Sequence, residues 1–161
     1  MARVWPEEVE RVSAYLRAAG AEARVEEFPA GTPTAEDAAK AVGCQLGEIV
    51  KSLLFLCDEQ PVLAMVPGDR RADAGKVAAA AGTSRARVAA PERVHEVTGF
   101  APGAVAPFPL PQVRRVFIDR RLLVHPRVWI GAGSDRHMAG LQPAELLRLA
   151  RAVALDLVRD N

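Results

Sequence analysis

A lysine inside an apolar segment is the first residue whose chemistry stands out. Residues 49–57 read Ile-Val-Lys-Ser-Leu-Leu-Phe-Leu-Cys, which is typical of a largely buried strand and places Lys51 within it. Burial of an ammonium group is costly unless the charge is paired or lines a pocket. The alternative is that Lys51 lies on an outward face or extends to solvent. Spacing leaves both open, but only three of the 21 basic residues are lysines, which favours a specific need for a compact cation.

A segment rich in glycine and proline, residues 98–111, is the second candidate. Gly99 and Gly103 would let the backbone approach a ligand and turn its N–H groups toward a developing negative charge, and Pro102 would stiffen the loop. This arrangement suits an oxyanion hole. The alternative is a pair of turns packed by two phenylalanines. Loops of this length are more often functional, so we prefer the first interpretation.

A second glycine segment, residues 131–134, follows a predicted strand and precedes His137. Gly131 and Gly133 do not complete a dinucleotide-binding fingerprint, which needs a third glycine and a following helix. His137 could orient a substrate or transfer a proton. A lone histidine is more often a surface or packing residue, and the sequence shows no partner that would tune its pKa.

Other catalytic chemistries find little support. The two cysteines, Cys44 and Cys57, do not make a disulfide framework, and the three histidines are too dispersed for a zinc signature. No G-x-S-x-G nucleophile motif is present. We therefore expect neither a metal nor a cofactor, and a thiol hydrolase that uses Cys57 is the weaker alternative.

The elements that would position these residues alternate between helices and hairpins. Helices are predicted over residues 7–19, 34–43, 73–81, 91–97 and from 143 onward, with Thr34 and Asp73 as N-caps. The last helix is predicted to pack inward through Leu146, Ala150, Val153 and Leu157. Strands are predicted over residues 49–57, 61–66, 115–119 and 127–130, and more weakly over 23–28. This order predicts an α+β fold, a mixed, curved or barrel-like sheet surrounded by helices, in one domain over residues 1–161.

Composition restricts the function further. The net charge of +1 argues against a protein that binds nucleic acid along its length, so an RNA substrate would be handled only at its end. No apolar run reaches the roughly 18 residues of a membrane span, and the N-terminus lacks a signal sequence. We expect a cytoplasmic protein with neither a membrane nor DNA as a partner.

The motifs together resemble a known family. They comprise residues 34–39, 47–53, 62–69 with Asp73, 98–103 with 107–108, 117–119 and 131–134. In this order and spacing they are similar to the YbaK/EbsC family, which also forms the editing domain of bacterial-type prolyl-tRNA synthetases. The resemblance implies a metal-free hydrolase that deacylates mischarged tRNA, usually tRNA for proline. The acceptor end of aminoacyl-tRNA would be its substrate, and prolyl-tRNA synthetase a partner.

The resemblance also implies roles for individual residues. Lys51 would hold the terminal adenosine or its phosphate side, and the loop with Gly99, Pro102 and Gly103 would supply backbone contacts at the ester. The remaining substrate-binding positions are expected at Phe28, Thr34, Ser52, Gly131, Gly133, Ser134 and His137. Pro109 replaces the glycine that many relatives have after the Pro-Phe pair, so the loop exit is expected to differ. The preferred amino acid stays open among cysteine, alanine and other small residues. A non-catalytic module that binds aminoacyl-adenosine or a nucleotide is the alternative function.

Overall fold

The computed structural model describes residues 4–160, which form five α-helices and eight strands. The helices are α1 Glu7–Ala18, α2 Ala35–Val42, α3 Ala74–Ala81, α4 Pro91–Thr98 and α5 Pro143–Ala150. The strands are β1 Val25–Glu27, β2 Val50–Cys57, β3 Gln60–Pro67, β4 Ala86–Val88, β5 Arg115–Asp119, β6 Val128–Ser134, β7 His137–Leu141 and β8 Val153–Leu155. None of the helices within residues 4–160 has the length and apolar character to cross a membrane.

The strands form two sheets that meet beside the start of β2. One sheet has the order β4-β2-β3-β5-β8 and mixes antiparallel with parallel pairs; the other, β1-β7-β6, is antiparallel. A parallel bridge between Ile49 and Trp129 joins the two sheets. The predicted α+β fold with a mixed, curved sheet and flanking helices is therefore confirmed.

β2 and β3 form the central hairpin of the larger sheet. Their register runs from Val50 opposite Pro67 to Cys57 opposite Gln60 without a break. One face of β2 packs into the main core with α1 and β6, through Leu54 and Leu56. The other face packs Phe55 against α3 in a second cluster. Burial on both faces explains why this strand reads as a continuous apolar run.

The predicted N-caps of α2 and α3, Thr34 and Asp73, are confirmed. The Thr34 hydroxyl accepts a hydrogen bond from the Asp37 N–H at 3.1 Å, and Gly43 ends α2 in the left-handed conformation. Asp73 Oδ1 accepts from the Lys76 N–H at 3.1 Å and begins α3, which ends before Gly82. These caps satisfy backbone groups that would otherwise lack partners at the helix ends. They fix the start of α2 and the start of α3.

The prediction for the C-terminal helix was wrong beyond its second turn. α5 ends at Ala150, and Arg151 adopts a left-handed conformation with φ of +53°. The chain then forms β8, which pairs in parallel with β5 and covers its edge. Val153 is 55% exposed rather than buried in a helical stripe, and Leu157 is buried in the cluster around Phe55. The need to pair the backbone at the edge of β5 overrides the helical periodicity.

The prediction of a glycine loop at residues 131–134 was also wrong, because these residues form the second half of β6. β6 continues to Ser134 through a bulge, and a two-residue turn leads into β7, which the sequence analysis did not identify. The glycines are needed for packing. A Cβ on Gly133 would lie 2.8 Å from the Glu8 carbonyl oxygen of α1, and Gly133 has a φ of +102°.

The first prediction follows from this contact. We expect Gly133→Ala to lower the free energy of unfolding by about 1–3 kcal/mol more than Gly20→Ala, since the added methyl group collides with α1. Gly20 is the matched control, because its φ of +68° is also positive but a Cβ there would meet nothing within 4 Å. Its replacement should cost about 1–2 kcal/mol from backbone conformation alone. Urea unfolding measures both losses, and equal losses would contradict a packing role for Gly133.

A charged network holds the C-terminal segment to the larger sheet. Asp119, which is fully buried, accepts from the Leu157 N–H at 2.8 Å and from the Arg121 side chain. Arg121 also contacts Asp156 at 3.0 Å, and Lys76 contacts Asp156 at 3.0 Å from α3. Hydrogen bonds from Lys76 and then Arg121 lower the pKa of Asp156 to about 2. One of the three lysines is therefore used to anchor the chain end.

The second prediction concerns acid stability. Because the pKa of Asp156 is lower in the folded state than its ordinary value near 4, its stabilising contribution is complete above about pH 4 and is lost as pH falls toward about 2. Asp156→Asn should therefore reduce the free energy of unfolding at pH 6 and match the wild type near pH 2. Denaturant unfolding as a function of pH measures this difference. Glu59→Gln is the control, since Glu59 forms an exposed pair with Arg87 that contributes little. If the difference in free energy of unfolding between wild type and Asp156→Asn stays the same as the pH is lowered, the lowered pKa of Asp156 is contradicted.

Candidate active site

A cavity of about 260 Å³ opens between the start of β2, the N-terminus of α2, the loop after α4 and the β6–β7 hairpin. Four segments that are far apart in the sequence therefore share one site. Most of the predicted site residues line it, namely Thr34, Lys51, Ser52, Gly103, Gly131, Ser134 and His137. The remaining walls are largely apolar and include Ala38, Ile49, Leu53, Val105 and Met138.

Lys51 is half-buried near the start of β2, opposite Val66 of β3, and lines the cavity. Its Nζ donates a hydrogen bond to the Arg70 carbonyl oxygen at 2.5 Å. An ammonium group has three donors, and Arg70 O is the one acceptor found for it within residues 4–160, so donors remain for a ligand. Burial is the main cause that lowers the pKa of Lys51, and the positive charge of Arg71 lowers it further. The negative charges of Glu36 and Asp69 act in the opposite direction and raise it.

Ser52 follows Lys51 on the opposite face of the strand and supplies a second polar group. Its Oγ is buried and has no hydrogen-bond partner among the described residues. A buried hydroxyl without a partner is costly, and a ligand in the cavity that Ser52 lines would satisfy it.

Ser134 and His137 form a polar pair across the β6–β7 turn. Ser134 Oγ lies 2.6 Å from His137 Nδ1 and accepts the Arg136 N–H at 2.9 Å. His137 is only 3% exposed, and its Nε2 lies 3.9 Å from Glu27 Oε2 on β1. The Trp5 ring packs edge-on against the imidazole, with 5.2 Å between ring centroids. The histidine therefore has partners that fix its position.

Glu27 is the residue near the site that the sequence analysis missed. In the β1–β7 pair Glu27 lies directly opposite His137, so its carboxylate reaches the imidazole across the ladder. The contact between Glu27 and His137 follows from the register of β1 with β7. The sequence predicts β1 only weakly and does not predict β7. Without β7, no pattern in the sequence connects Glu27 with His137.

The loop after α4 narrows the expected oxyanion site to one position. Gly99 lies outside the cavity: its N–H caps α4 through His95 O at 2.9 Å, and its carbonyl accepts from Arg11 Nη2 at 2.8 Å. The Phe100 N–H is bonded to Thr98 Oγ1 at 3.1 Å. The expectation of backbone donors at Gly99 therefore does not fit, because the end of α4 uses them.

Gly103 is the glycine of this loop that reaches the cavity. Its φ of +81° and the hydrogen bond from the Ala104 N–H to Ala101 O at 2.9 Å define a tight turn with Pro102 at its second position. Within residues 4–160 no acceptor receives the Gly103 N–H. Pro102 is exposed and does not line the cavity; it shapes the turn that presents Gly103.

Two further predicted positions lie behind the cavity wall. Phe28 packs edge-on against Trp129, with centroids 6.3 Å apart, and belongs to the cluster that contains Ala38, Ile49 and Met138. It supports the wall rather than lining it. Gly133 contacts α1, as described above. The Phe108–Pro109 peptide at the loop exit, where the sequence departs from the family pattern, is cis.

The described residues contain no group of three His, Cys, Asp or Glu side chains that could hold a metal ion. The cavity is lined by the half-buried Lys51 ammonium, the Ser52 hydroxyl, the Ser134–His137 pair and Gly103, among apolar side chains. Such a site can bind a small polar ligand through its charge and a small side chain through its apolar wall.

Comparison with known proteins places the chain in a family. A family model for the aminoacyl-tRNA editing domain matches residues 29–149. The protein YwhH of Bacillus subtilis is 33% identical over 138 residues, which cover 84% of this chain and 87% of YwhH. A proline–tRNA ligase of Nitratidesulfovibrio vulgaris is 35% identical over 109 residues, 67% of this chain but 19% of the ligase. The chain therefore spans about a fifth of the ligases that it matches.

A solved structure supports the same relationship. It is described as a candidate trans-editing enzyme for prolyl tRNA synthetase and superposes with a TM-score of 0.91 at 38% identity, covering 98% of this chain and 100% of its own. Since the family model covers most of the chain and YwhH aligns over most of it, this chain belongs to the aminoacyl-tRNA editing domain family, as its resemblance to YbaK/EbsC proteins predicts.

Proposed function

We propose that this protein hydrolyses the ester bond between a wrongly attached small amino acid and the 3′ end of a tRNA, acting in trans on tRNA for proline. The observation that carries the proposal is the convergence of Lys51, Gly103 and the Ser134–His137 pair on one small cavity. The solved relative described as a candidate trans-editing enzyme supports the trans mode.

The size of the cavity supports an amino acid as the bound group. Its volume of about 260 Å³ is just below the range of about 300–1,000 Å³ that is typical of small-molecule sites. It can hold an aminoacyl group and part of the terminal ribose, whereas the rest of the tRNA must lie outside. The apolar wall of Ala38, Val105 and Met138 would then contact the amino-acid side chain.

The chemistry requires little beyond positioning. An aminoacyl ester is already activated, so a bound water can add to its carbonyl carbon, with the neighbouring ribose hydroxyl taking part in proton transfer. The carbonyl electron pair moves to the oxygen, where the Gly103 N–H would stabilise it. Collapse of the tetrahedral intermediate breaks the C–O bond, and the ribose oxygen leaves with a proton. The products are a free amino acid and a tRNA with a free hydroxyl.

The polar side chains would hold the substrate in this geometry. The Lys51 ammonium would bind the terminal nucleotide through its remaining donors, and the buried Ser52 hydroxyl would gain a partner from the same nucleotide. The Ser134–His137 pair, fixed from behind by Trp5 and Glu27, would orient the aminoacyl end. Lys51 is thus an anchor for the substrate rather than a nucleophile.

Editing gives such a site a biological purpose. A synthetase pocket separates amino acids that differ by one methylene by only about 1–3 kcal/mol, so a second hydrolytic sieve improves accuracy. We propose alanine, cysteine or another small residue as the amino acid removed. Since the net charge is only +1, recognition of the tRNA body would depend on a partner such as prolyl-tRNA synthetase.

The third prediction tests Lys51. Lys51→Ala should lower kcat/KM for deacylation of mischarged tRNA by roughly 10- to 100-fold, because a hydrogen bond from a charged group is worth about 1.5–3 kcal/mol. Lys40→Ala is the matched control, since Lys40 lies exposed on α2 and does not line the cavity. Release of radiolabelled amino acid from tRNA measures both. Equal rates for wild type and Lys51→Ala would remove Lys51 from the site.

The fourth prediction separates this mechanism from a thiol hydrolase. Cys57 is fully buried at the far end of β2 and lies beside a different cavity. Burial raises the pKa of its thiol, which disfavours the reactive thiolate. Cys57→Ser should therefore keep the wild-type kcat for deacylation. A loss of more than about 10-fold in a variant whose circular dichroism is unchanged would favour the thiol mechanism.

A deacylation screen over mischarged tRNA species tests the whole proposal. We expect turnover of at least one small amino acid on tRNA for proline. Tight binding of a non-hydrolysable aminoacyl-adenosine analogue, with no turnover of any aminoacyl-tRNA, would instead indicate a non-catalytic binding module.

A further inference from the structure

A short antiparallel pairing lies beside Lys51 and involves the C-terminal segment. Ala72 forms a bridge with Val158, the Asp73 N–H bonds to Leu157 O at 2.8 Å, and the Arg159 N–H bonds to Arg71 O at 2.8 Å. Residues directly opposite each other in such a pair project to the same side. Arg71 and Arg159 are therefore cross-strand neighbours.

This arginine pair has no internal charge partner. Both side chains are exposed, and neither makes a hydrogen bond or ion pair with another residue between positions 4 and 160. Like charges directly opposite each other destabilise a strand pair unless something neutralises them. The adjacent cations differ in this respect, because Lys76 and Arg121 are both paired with Asp156.

The pair is connected to the active-site cavity through Arg70. The Arg70 carbonyl holds Lys51 Nζ, and Arg70 Nη2 donates to Arg159 O at 3.1 Å. Arg71 lies close enough to Lys51 for its charge to lower the pKa of that lysine, while Glu36 and Asp69 oppose it. Glu36 and Asp69 are the carboxylates that act on Lys51 at this end of β2, and Asp160, which follows Arg159, is paired with Lys76. The charges of Arg71 and Arg159 are therefore left without a carboxylate partner among residues 4–160.

We propose that Arg71 and Arg159 form a second anion site, which binds backbone phosphates of the single-stranded 3′ end of the tRNA. The inference rests on the proposed function, since an aminoacyl ester in the cavity requires the preceding nucleotides to leave past the rim. The planar guanidinium group can donate two parallel hydrogen bonds to phosphate oxygens. Because both arginines are exposed, their charges remain hydrated in the absence of a ligand. The site explains how a protein of net charge +1 holds the end of a polyanion.

The test compares a long substrate with a short one. The double variant Arg71→Ala/Arg159→Ala should raise KM for mischarged tRNA about 10-fold with an unchanged kcat, and should leave hydrolysis of aminoacyl-adenosine, which lacks these phosphates, as in the wild type. The plot of log kcat/KM against log salt concentration should become shallower by about 1.4, because each single-strand phosphate contact contributes about 0.7.

Matched variants separate a local contact from net charge or misfolding. Arg87→Ala/Arg93→Ala removes the same charge from exposed arginines that are paired with Glu59 and Glu96, and should leave KM and the salt slope unchanged. Arg71→Lys/Arg159→Lys should keep most of the salt slope. Circular dichroism and the unfolding midpoint verify the fold of each variant.

Three outcomes would overturn the inference. They are an unchanged KM and slope, an equal loss on both substrates, and loss of binding to prolyl-tRNA synthetase with tRNA kinetics intact, which would indicate an acidic protein surface as the ligand. If the wild type hydrolyses neither substrate, the proposed function fails. The arginine pair is then still tested by the salt dependence of binding of an uncharged tRNA acceptor-end hairpin to wild type and double variant.

Discussion

The register of the β2–β3 hairpin is the constraint on which the rest of the site depends. All eight residues of β2 pair in order with β3, so a slip of one residue would turn Lys51 to the opposite face. β3 then ends at Pro67, and the chain reverses through Gly68, where a Cβ would lie 2.6 Å from Leu46 O. That close reversal brings the Arg70 carbonyl back to the Lys51 ammonium. A single ladder thereby positions both the anchor and the residues that hold it.

The proposed mechanism relies on backbone groups and small side chains at the cavity, because an aminoacyl ester is already reactive. Gly103 lies in a turn in which the Ala104 N–H bonds to Ala101 O, while the preceding N–H groups of Gly99 and Phe100 are used at the end of α4. Gly131 of β6 lines the same cavity, and a Cβ there would lie 3.3 Å from Val105 O, so the glycine lets the strand and the loop approach each other. His137 is buried between Ser134, Glu27 and Trp5, and a group fixed in this way would lose little freedom on binding the proposed substrate.

Local signals were sufficient where the determining contacts are local. Thr34 and Asp73 cap helices through neighbours three residues away, and the apolar runs of β2 and β3 are joined by a two-residue turn. Lys51 was identifiable because an ammonium group within an apolar strand is energetically unusual. The family resemblance added the site residues that no local rule could connect.

The remaining features depend on contacts between distant parts of the chain. β8 exists because β5 needs a partner on its edge, and the sequence of the last 20 residues carries a helical period instead. The strand character of residues 131–134 follows from pairing with β7 and from contact with α1, whereas the glycines themselves suggest a loop. Gly99 and Gly103 look alike in the sequence, and only the end of α4 decides that one caps a helix while the other faces the cavity.

The central claim is that the aminoacyl end of the substrate occupies the cavity beside Lys51. The most direct measurement is the set of backbone amide chemical shifts of the isotopically labelled protein during titration with a non-hydrolysable aminoacyl-adenosine analogue. The account predicts saturable shifts at Lys51, Ser52, Gly103, Ser134 and His137, and none around Cys57 or the exposed turn at Asp58. Saturable shifts confined to residues outside the cavity would contradict it.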